Sequence, residues 1–399
     1  MPETTIAATP VSQPPSPLGA RARRAVVFGT GIIVAGVMPG FLTASLAPRI
    51  RTSFEFGDST LGLAVAIFYA ICAVCSTPAG RLVERVGPNT GVRCGAALTA
   101  TSCLAIAALA QSAVSLIALL LVAGVGNAIG GPTVSALLRR EVAGQRQGVA
   151  FGAQQSGASL GALLAGLALP VIAIPLGWRW AYVGVAGLAV IAATLAPRSR
   201  DEPTSARVRE QHGGGLSSVH ALALAAAFAS AAGVGFISFL VSYSVDSGMS
   251  EGAAGLLLGG VSFAATVSRV GLGAIADRAG QLALRPVPAM LIASMAGYLL
   301  LIVGEPWLIV IAALIAGSVG WAWPGALTLA VVQRSPHAPA WAVGVMMTGL
   351  FTGAMGGPLL VGLLAEHGSF TAAWLVCAGL ALLAAVTIAA TESRSRESD

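Results

Sequence analysis

Gly80-Arg81-Leu82-Val83-Glu84-Arg85-Val86-Gly87 returns, in degenerate form, as Gly273-Ala274-Ile275-Ala276-Asp277-Arg278-Ala279-Gly280. The offset is 193 residues in a chain of 399. Each copy closes a long apolar stretch, the second and the eighth of the chain. A short charged turn repeated at half the chain length marks a duplicated unit of six helices. The halves match elsewhere as well. Gly148, Gly157 and Gly161 return as Gly344, Gly353 and Gly357 at an offset of 196, and Ala181-Tyr182 returns as Ala373-Trp374 at 192.

Mean hydropathy is +0.84, with 56% of residues hydrophobic and 10% charged, which excludes a soluble fold. A hydrocarbon core about 30 Å thick needs about 20 apolar residues per crossing helix. Twelve such stretches run near 25–47, 59–79, 91–110, 113–137, 148–171, 178–197, 219–242, 252–272, 286–303, 307–332, 341–364 and 371–391. They are continuously apolar rather than alternating, so they predict helices and not a barrel. The fold class is an all-α integral membrane protein, with 12 transmembrane helices in two pseudo-symmetric six-helix bundles. Residues 1–20, rich in Pro, Ser and Thr, read as a disordered cytoplasmic N-terminus. Residues 21–197 form the first bundle, 198–218 a polar central linker, 219–391 the second bundle and 392–399 a cytoplasmic tail.

All 22 basic residues are arginines. With the N-terminus inside, Arg49, Arg51 and Arg179 fall outside and the other 19 fall inside, as the positive-inside rule requires. Both termini are therefore expected in the cytoplasm, and the protein in the cytoplasmic (inner) membrane. The net charge of +6 follows from this topology and does not argue for nucleic acid. Arg21 to Arg24 followed by an apolar run mimics a signal peptide, but the run is long and eleven more crossings follow. Cys72 and Cys75 have CxxC spacing inside an apolar helix, where thiols are packing residues. There is no GxxxxGK[ST] loop, so an ion or solute gradient has to supply the energy.

Twelve spans in two halves, a central loop, the GxxxDRxG-type turn after spans 2 and 8, and the Gly177-Trp178-Arg179-Trp180 opening of span 6 together resemble the major facilitator superfamily. The resemblance covers residues 21–391. It implies a secondary transporter working by alternating access, in which the repeated turn is a cytoplasmic latch. Carried over, the latch consists of Gly80, Glu84, Arg85 and Gly87 with Gly273, Asp277, Arg278 and Gly280. Glu84 stands where the family usually has Asp, and Pro88-Asn89 where it often has a basic pair, which weakens the first copy. A proton is the coupling ion the resemblance suggests. No Asp or Glu lies deep in a span to carry it, and span 4 lacks the arginine of many proton-driven exporters. A small-molecule substrate and membrane lipid are the expected partners, with no metal, cofactor or nucleic acid, and the carrier is expected to be a monomer.

Polar side chains are costly within the bilayer, so the few present are candidates for lining a substrate cavity. They are Tyr69, Asn127, Gln154 and Gln155, with interhelical hydrogen bonding as the plain alternative. Gln155 lies about 160° round its helix from Gly157, away from the glycine packing face. Five tryptophans (Trp178, Trp180, Trp307, Trp341 and Trp374) lie near span ends and suit an interfacial belt. Trp321 and Trp323 sit mid-span before Pro324, and one of them is expected at the substrate site. Met346, Met347 and Phe351 suit an adaptable apolar wall or simply core. The small-xxx-small pairs Gly157/Gly161 and Gly353/Gly357 serve helix packing, or else the seam on which the halves rock.

Arg269 is the one charge inside span 8. It either snorkels to the cytoplasmic interface or gates with Asp277, or it captures an anion as in carboxylate porters of the superfamily. Two cargo classes follow. An uncharged, aromatic-lined cavity favours efflux of an apolar or aromatic compound. Arg269 supports the alternative, uptake or exchange of a small monocarboxylate or other organic anion. The four histidines lie in loops or at span ends and there is no HExxH, so a membrane enzyme is not indicated; nor is a receptor, since no output domain is evident.

The arginine asymmetry predicts that a cysteine placed at Ser205 stays unlabelled by an impermeant thiol reagent in intact cells and reacts once the cells are opened. Labelling from outside would reverse the topology.

Overall fold

The computed structural model describes residues 19–54, 57–142, 147–194, 216–279, 284–334 and 339–398. The first bundle contains α1 (Ala20–Ser45), α2 (Asp58–Val86), α3 (Pro88–Leu109) and α4 (Ala113–Glu141). Its α5 (Gln147–Ala168) runs on through a π-helical turn, Leu169–Ala173, into Ile174–Leu176, and α6 (Trp178–Thr194) completes the bundle. The second contains α7 (Leu216–Asp246), α8 (Glu251–Ala279), α9 (Pro286–Leu301), a broken α10 (Pro306–Leu314, then Trp323–Arg334), α11 (Pro339–His367) and α12 (Phe370–Ser398). Ten of these are long and apolar enough to cross a membrane; α6 and α9 are shorter apolar helices of 17 and 16 residues. Twelve passes leave Ala20 and Ser398 at one end of the molecule, called here the terminal end, with the opposite side as the far end.

Several helices outrun their apolar stretches. Once backbone hydrogen bonds are closed within a helix, it continues into water until a residue stops it. The repeated segment is therefore helical and not a turn: α2 runs to Val86 and α8 to Ala279. The chain reverses only at Gly87, whose φ of 83° is a left-handed conformation that favours glycine, and Pro88 opens α3 at once. The residues expected to form a tail continue α12 as far as Ser398. Residues 1–18 and most of the expected linker lie outside the described residues.

Close packing within each bundle rests on the glycines. A methyl at Gly157 would lie 2.9 Å from Ile33, and one at Gly161 2.6 Å from Val37, both on α1. At Gly353 and Gly357 it would overlap the carbonyl oxygens of Ala227 and Ala231 on α7. These four glycines therefore join helices of the same bundle, and the halves do not rock on them. Tyr182 is buried and shares a 2.8 Å hydrogen bond with Thr43, and its counterpart Trp374 is buried among Phe236, Tyr243 and Phe370. Trp374 and Trp178, expected in an interfacial belt, are core residues instead, because both face inward from α12 and α6. Trp180 and Trp307 are well exposed, as a belt requires.

Gly357→Ala is expected to destabilise the protein by about 1–3 kcal/mol through overpacking against a backbone that cannot yield. Gly356→Ala, whose added carbon meets open space, should be neutral. Thermal unfolding in detergent compares the two, and equal melting temperatures would show that the α7–α11 crossing is looser than described.

Candidate functional site

The bundles meet along two seams, α5 with α8 and α2 with α11. At the far end both are shut by glycines. A methyl on Gly166 of α5 would lie 2.7 Å from backbone atoms of Gly255 and Gly259 on α8, and Gly62 of α2 and Gly362 of α11 face each other's helices just as closely. Polar contacts at the helix ends reinforce the closure. Arg49, in the short helix Ala47–Phe54, donates from Nε to Glu251 Oε2 of α8 at 2.6 Å. Glu366 of α11 accepts a 2.5 Å hydrogen bond from the backbone N–H of Ser59 in the first turn of α2, an end that its own Gly57 leaves uncapped. Arg51 pairs with Asp58; burial lowers the pKa of this guanidinium, opposed by the nearby carboxylates of Asp246 and Glu366.

Between the far end and the terminal end the bundles enclose a small cleft. Phe41 of α1, Ala158, Ser159 and Ala162 of α5, Ile237 of α7, Ser262 and Ala265 of α8, and Trp321 line it. The enclosed space is about 10 Å³, room for about one water. The wall is built by helical spacing. Ser159 and Ala162 share one face of α5 and Ser262 and Ala265 one face of α8, and the same faces continue past the cleft to Gln155 and Arg269. Ser262 is buried and its hydroxyl has no hydrogen-bond partner, so an unspent polar group faces the cleft.

Arg269 lies on the terminal side of the cleft, against Trp321 of its lining. Its side chain is buried, with Nε donating to the Trp321 carbonyl at 2.8 Å and Nη1 to the Gln155 carbonyl at 2.5 Å. The guanidinium carbon lies 5.6 Å from the centre of the Trp321 ring, within cation–π range. The acceptor on Trp321 comes from a break in α10. A π-helical turn, Ile315–Val319, gives way to non-helical residues 320–322 before Pro324, which has no N–H and disfavours helix in the residue before it. Among the described residues no carboxylate pairs with Arg269. Snorkelling to the membrane surface is not what this side chain does; it ties α8 of one bundle to α5 of the other.

The remaining candidates disperse. Tyr69 is buried in the first bundle, edge-on to Phe68 at 5.1 Å. Asn127 donates from Nδ2 to Cys72 Sγ at 3.3 Å and packs against Gly36, so it joins α4 to α2 and α1. Gln154 donates to Ser135 Oγ at 3.2 Å, joining α5 to α4, and its Oε1 is left without a partner. Of the tryptophan pair, Trp321 lines the cleft while Trp323 is buried in the core of the second bundle with Met346. In the first latch copy Gly80 stands in open space, Arg85 is exposed and Gly87 makes the turn. The Glu84, Asp277 and Arg278 side chains, with Gly273 and Gly280, lie outside the described residues. Sequence inspection passes over Phe41, Ser159, Ile237 and Ser262. Only Ser262 carries a signal, standing seven residues from Arg269 on the same helical face.

Two six-helix bundles with a cleft between them define a membrane carrier. The sequence matches the Major Facilitator Superfamily over residues 27–336 and 222–398, and the chain belongs to that family. It is 31% identical over 161 residues, 39% of its length, to an uncharacterized MFS-type transporter of Mycobacterium tuberculosis (strain ATCC 25618 / H37Rv), and the match spans 28% of that relative. Its fold is similar to that of a bacterial homolog of the human lysosomal transporter Spinster. The inward-facing, unoccupied form of that homolog gives a TM-score of 0.68 at 17% identity, covering 93% of this chain and 95% of the other. The inward-facing, occupied form gives 0.66 at 18%, covering 95% and 97%.

Ser262→Val should fill the cleft and block transport while leaving the melting temperature unchanged or raised, since an unpaired buried hydroxyl is removed. Transport at the wild-type rate would place the cargo elsewhere.

Proposed function

We propose that the protein moves a small organic anion across the cytoplasmic membrane by alternating access. In this mechanism Arg269 meets the charge, while Trp321, Phe41 and Ile237 cover the apolar body. The observation that carries this is a buried guanidinium beside the inter-bundle cleft, held by two backbone carbonyls and, among the described residues, by no carboxylate. A buried charge without a counter-charge is costly, and a planar carboxylate fits the guanidinium fork better than two separate carbonyls do. The case for an uncharged cargo rests on amides and a pair of tryptophans around the cavity. Asn127, Gln154 and Trp323 spend their side chains on packing within the bundles, which removes most of that support. The slight efflux preference drawn from them loses the same ground, and the anion reading replaces it.

The test is a ligand-stabilisation screen of purified protein with monocarboxylates from acetate to hippurate, each beside its neutral amide. Carboxylates should raise the melting temperature and their amides should not. Arg269→Lys keeps the charge and loses the fork, so affinity should fall about 10- to 100-fold, the equivalent of one charge-assisted contact. Equal stabilisation by acids and amides, with Arg269→Lys indifferent, would point instead to an apolar or aromatic cargo.

A further inference from the structure

We infer that the carrier works as an exchanger, releasing one organic anion only in return for another, because Arg269 locks the empty cleft across the two bundles. The inference rests on the anion reading and adds how the cycle is coupled.

Arg269 belongs to α8, yet one of its two hydrogen bonds ends on the backbone of α5 in the opposite bundle. Alternating access requires these helices to separate on the terminal side of the cleft. In the empty protein that separation strips the guanidinium of the Gln155 carbonyl. The side chain is 4% exposed while the seam is closed, so the contact has to break before water can reach the guanidinium and replace the lost partner. The acceptor is main-chain, so no rotamer change on α5 can carry it along. A carboxylate in the cleft changes the balance. Its two oxygens satisfy the fork together, and neither of them is fixed to α5. The loaded carrier can then part at this seam without leaving a bare charge, and the empty one cannot.

A second observation bears on the return of the empty carrier. All 16 acidic residues lie at or beyond the ends of the helices or in the connections and termini. The one nearest to Arg269 along α8 is Asp277, eight residues on and about 12 Å along the axis. Among the described residues no carboxylate lines the cleft to be neutralised or released by a proton, the usual means by which an intramembrane acid resets a carrier. What remains to satisfy Arg269 on the return stroke is another anion. A carrier that moves readily when loaded and slowly when empty performs exchange.

The experiment uses the full chain in liposomes loaded with radiolabelled members of the acetate-to-hippurate panel, in parallel with the binding screen. Release is followed into buffer alone and into buffer holding an excess of the same unlabelled carboxylate. Exchange predicts release at least 10-fold faster with carboxylate outside, and no acceleration by its neutral amide. Arg269→Lys, which keeps the charge but loses the rigid fork that reaches both carbonyls, should narrow the ratio of exchange to net release at saturating anion, whatever it does to affinity. Equal release into both buffers, or accumulation driven by an imposed pH gradient alone, overturns the exchange inference while leaving the anion reading standing. Failure of every carboxylate to stabilise the protein overturns both.

Discussion

Hydrocarbon offers two helices no reward for hiding apolar side chains from it, and this constraint governs the whole molecule. In water, burial of leucines would hold such bundles together; in a bilayer the surroundings are as apolar as the leucines. What remains is close contact between backbones, hence dispersion and a few hydrogen bonds. The chain meets this with glycine where helices cross most closely: Gly157 and Gly161 of α5 against α1, Gly353 and Gly357 of α11 against α7, Gly166 against Gly255 and Gly259 between the bundles. Each pair lets a carbonyl or a branched side chain sit where a methyl would collide. The packing is fixed by what is missing from these residues.

Against this background Arg269 stands out energetically. A guanidinium in a dry seam is costly, and the structure offsets the cost with two carbonyls and an indole face. One of those carbonyls is available only because α10 breaks before Pro324. The proline, the broken helix, the exposed carbonyl and the arginine form one chain of cause. It joins a local feature of α10 to a contact between bundles.

The spans and the duplication are legible in the sequence. An apolar run of about 20 residues matches the thickness of a bilayer, and a charged segment that returns at half-length matches a doubled unit. Helix ends are less so, since α2 and α12 continue into water for reasons of backbone bonding that hydropathy does not record. The site is only partly legible. That Asn127, Gln154 and Gln155 are polar within the membrane is plain from position. None of the three lines the cleft, because where each side chain points depends on helix rotation, and rotation is set by glycine contacts between residues far apart in the chain. Trp321 and Trp323 differ by two positions, one within the helix break and in the cleft, the other in the first turn after it and in the core. Trp374, near a span end, reads as interfacial, yet α12 presents it to the aromatic cluster around Phe236.

The two closures also differ in what can replace them. At the far end Glu366 caps the first turn of α2 and Arg49 meets Glu251 in positions open to solvent. When these contacts part, water takes the vacated donors and acceptors at little cost, as it does for exposed ion pairs generally. At the Arg269 seam no such substitute is within reach. The barrier to rearrangement is therefore unevenly distributed along the molecule's long axis, low where solvent lubricates the joint and high where it is dry. Parting the bundles thus begins more easily at the wet end than at the dry one.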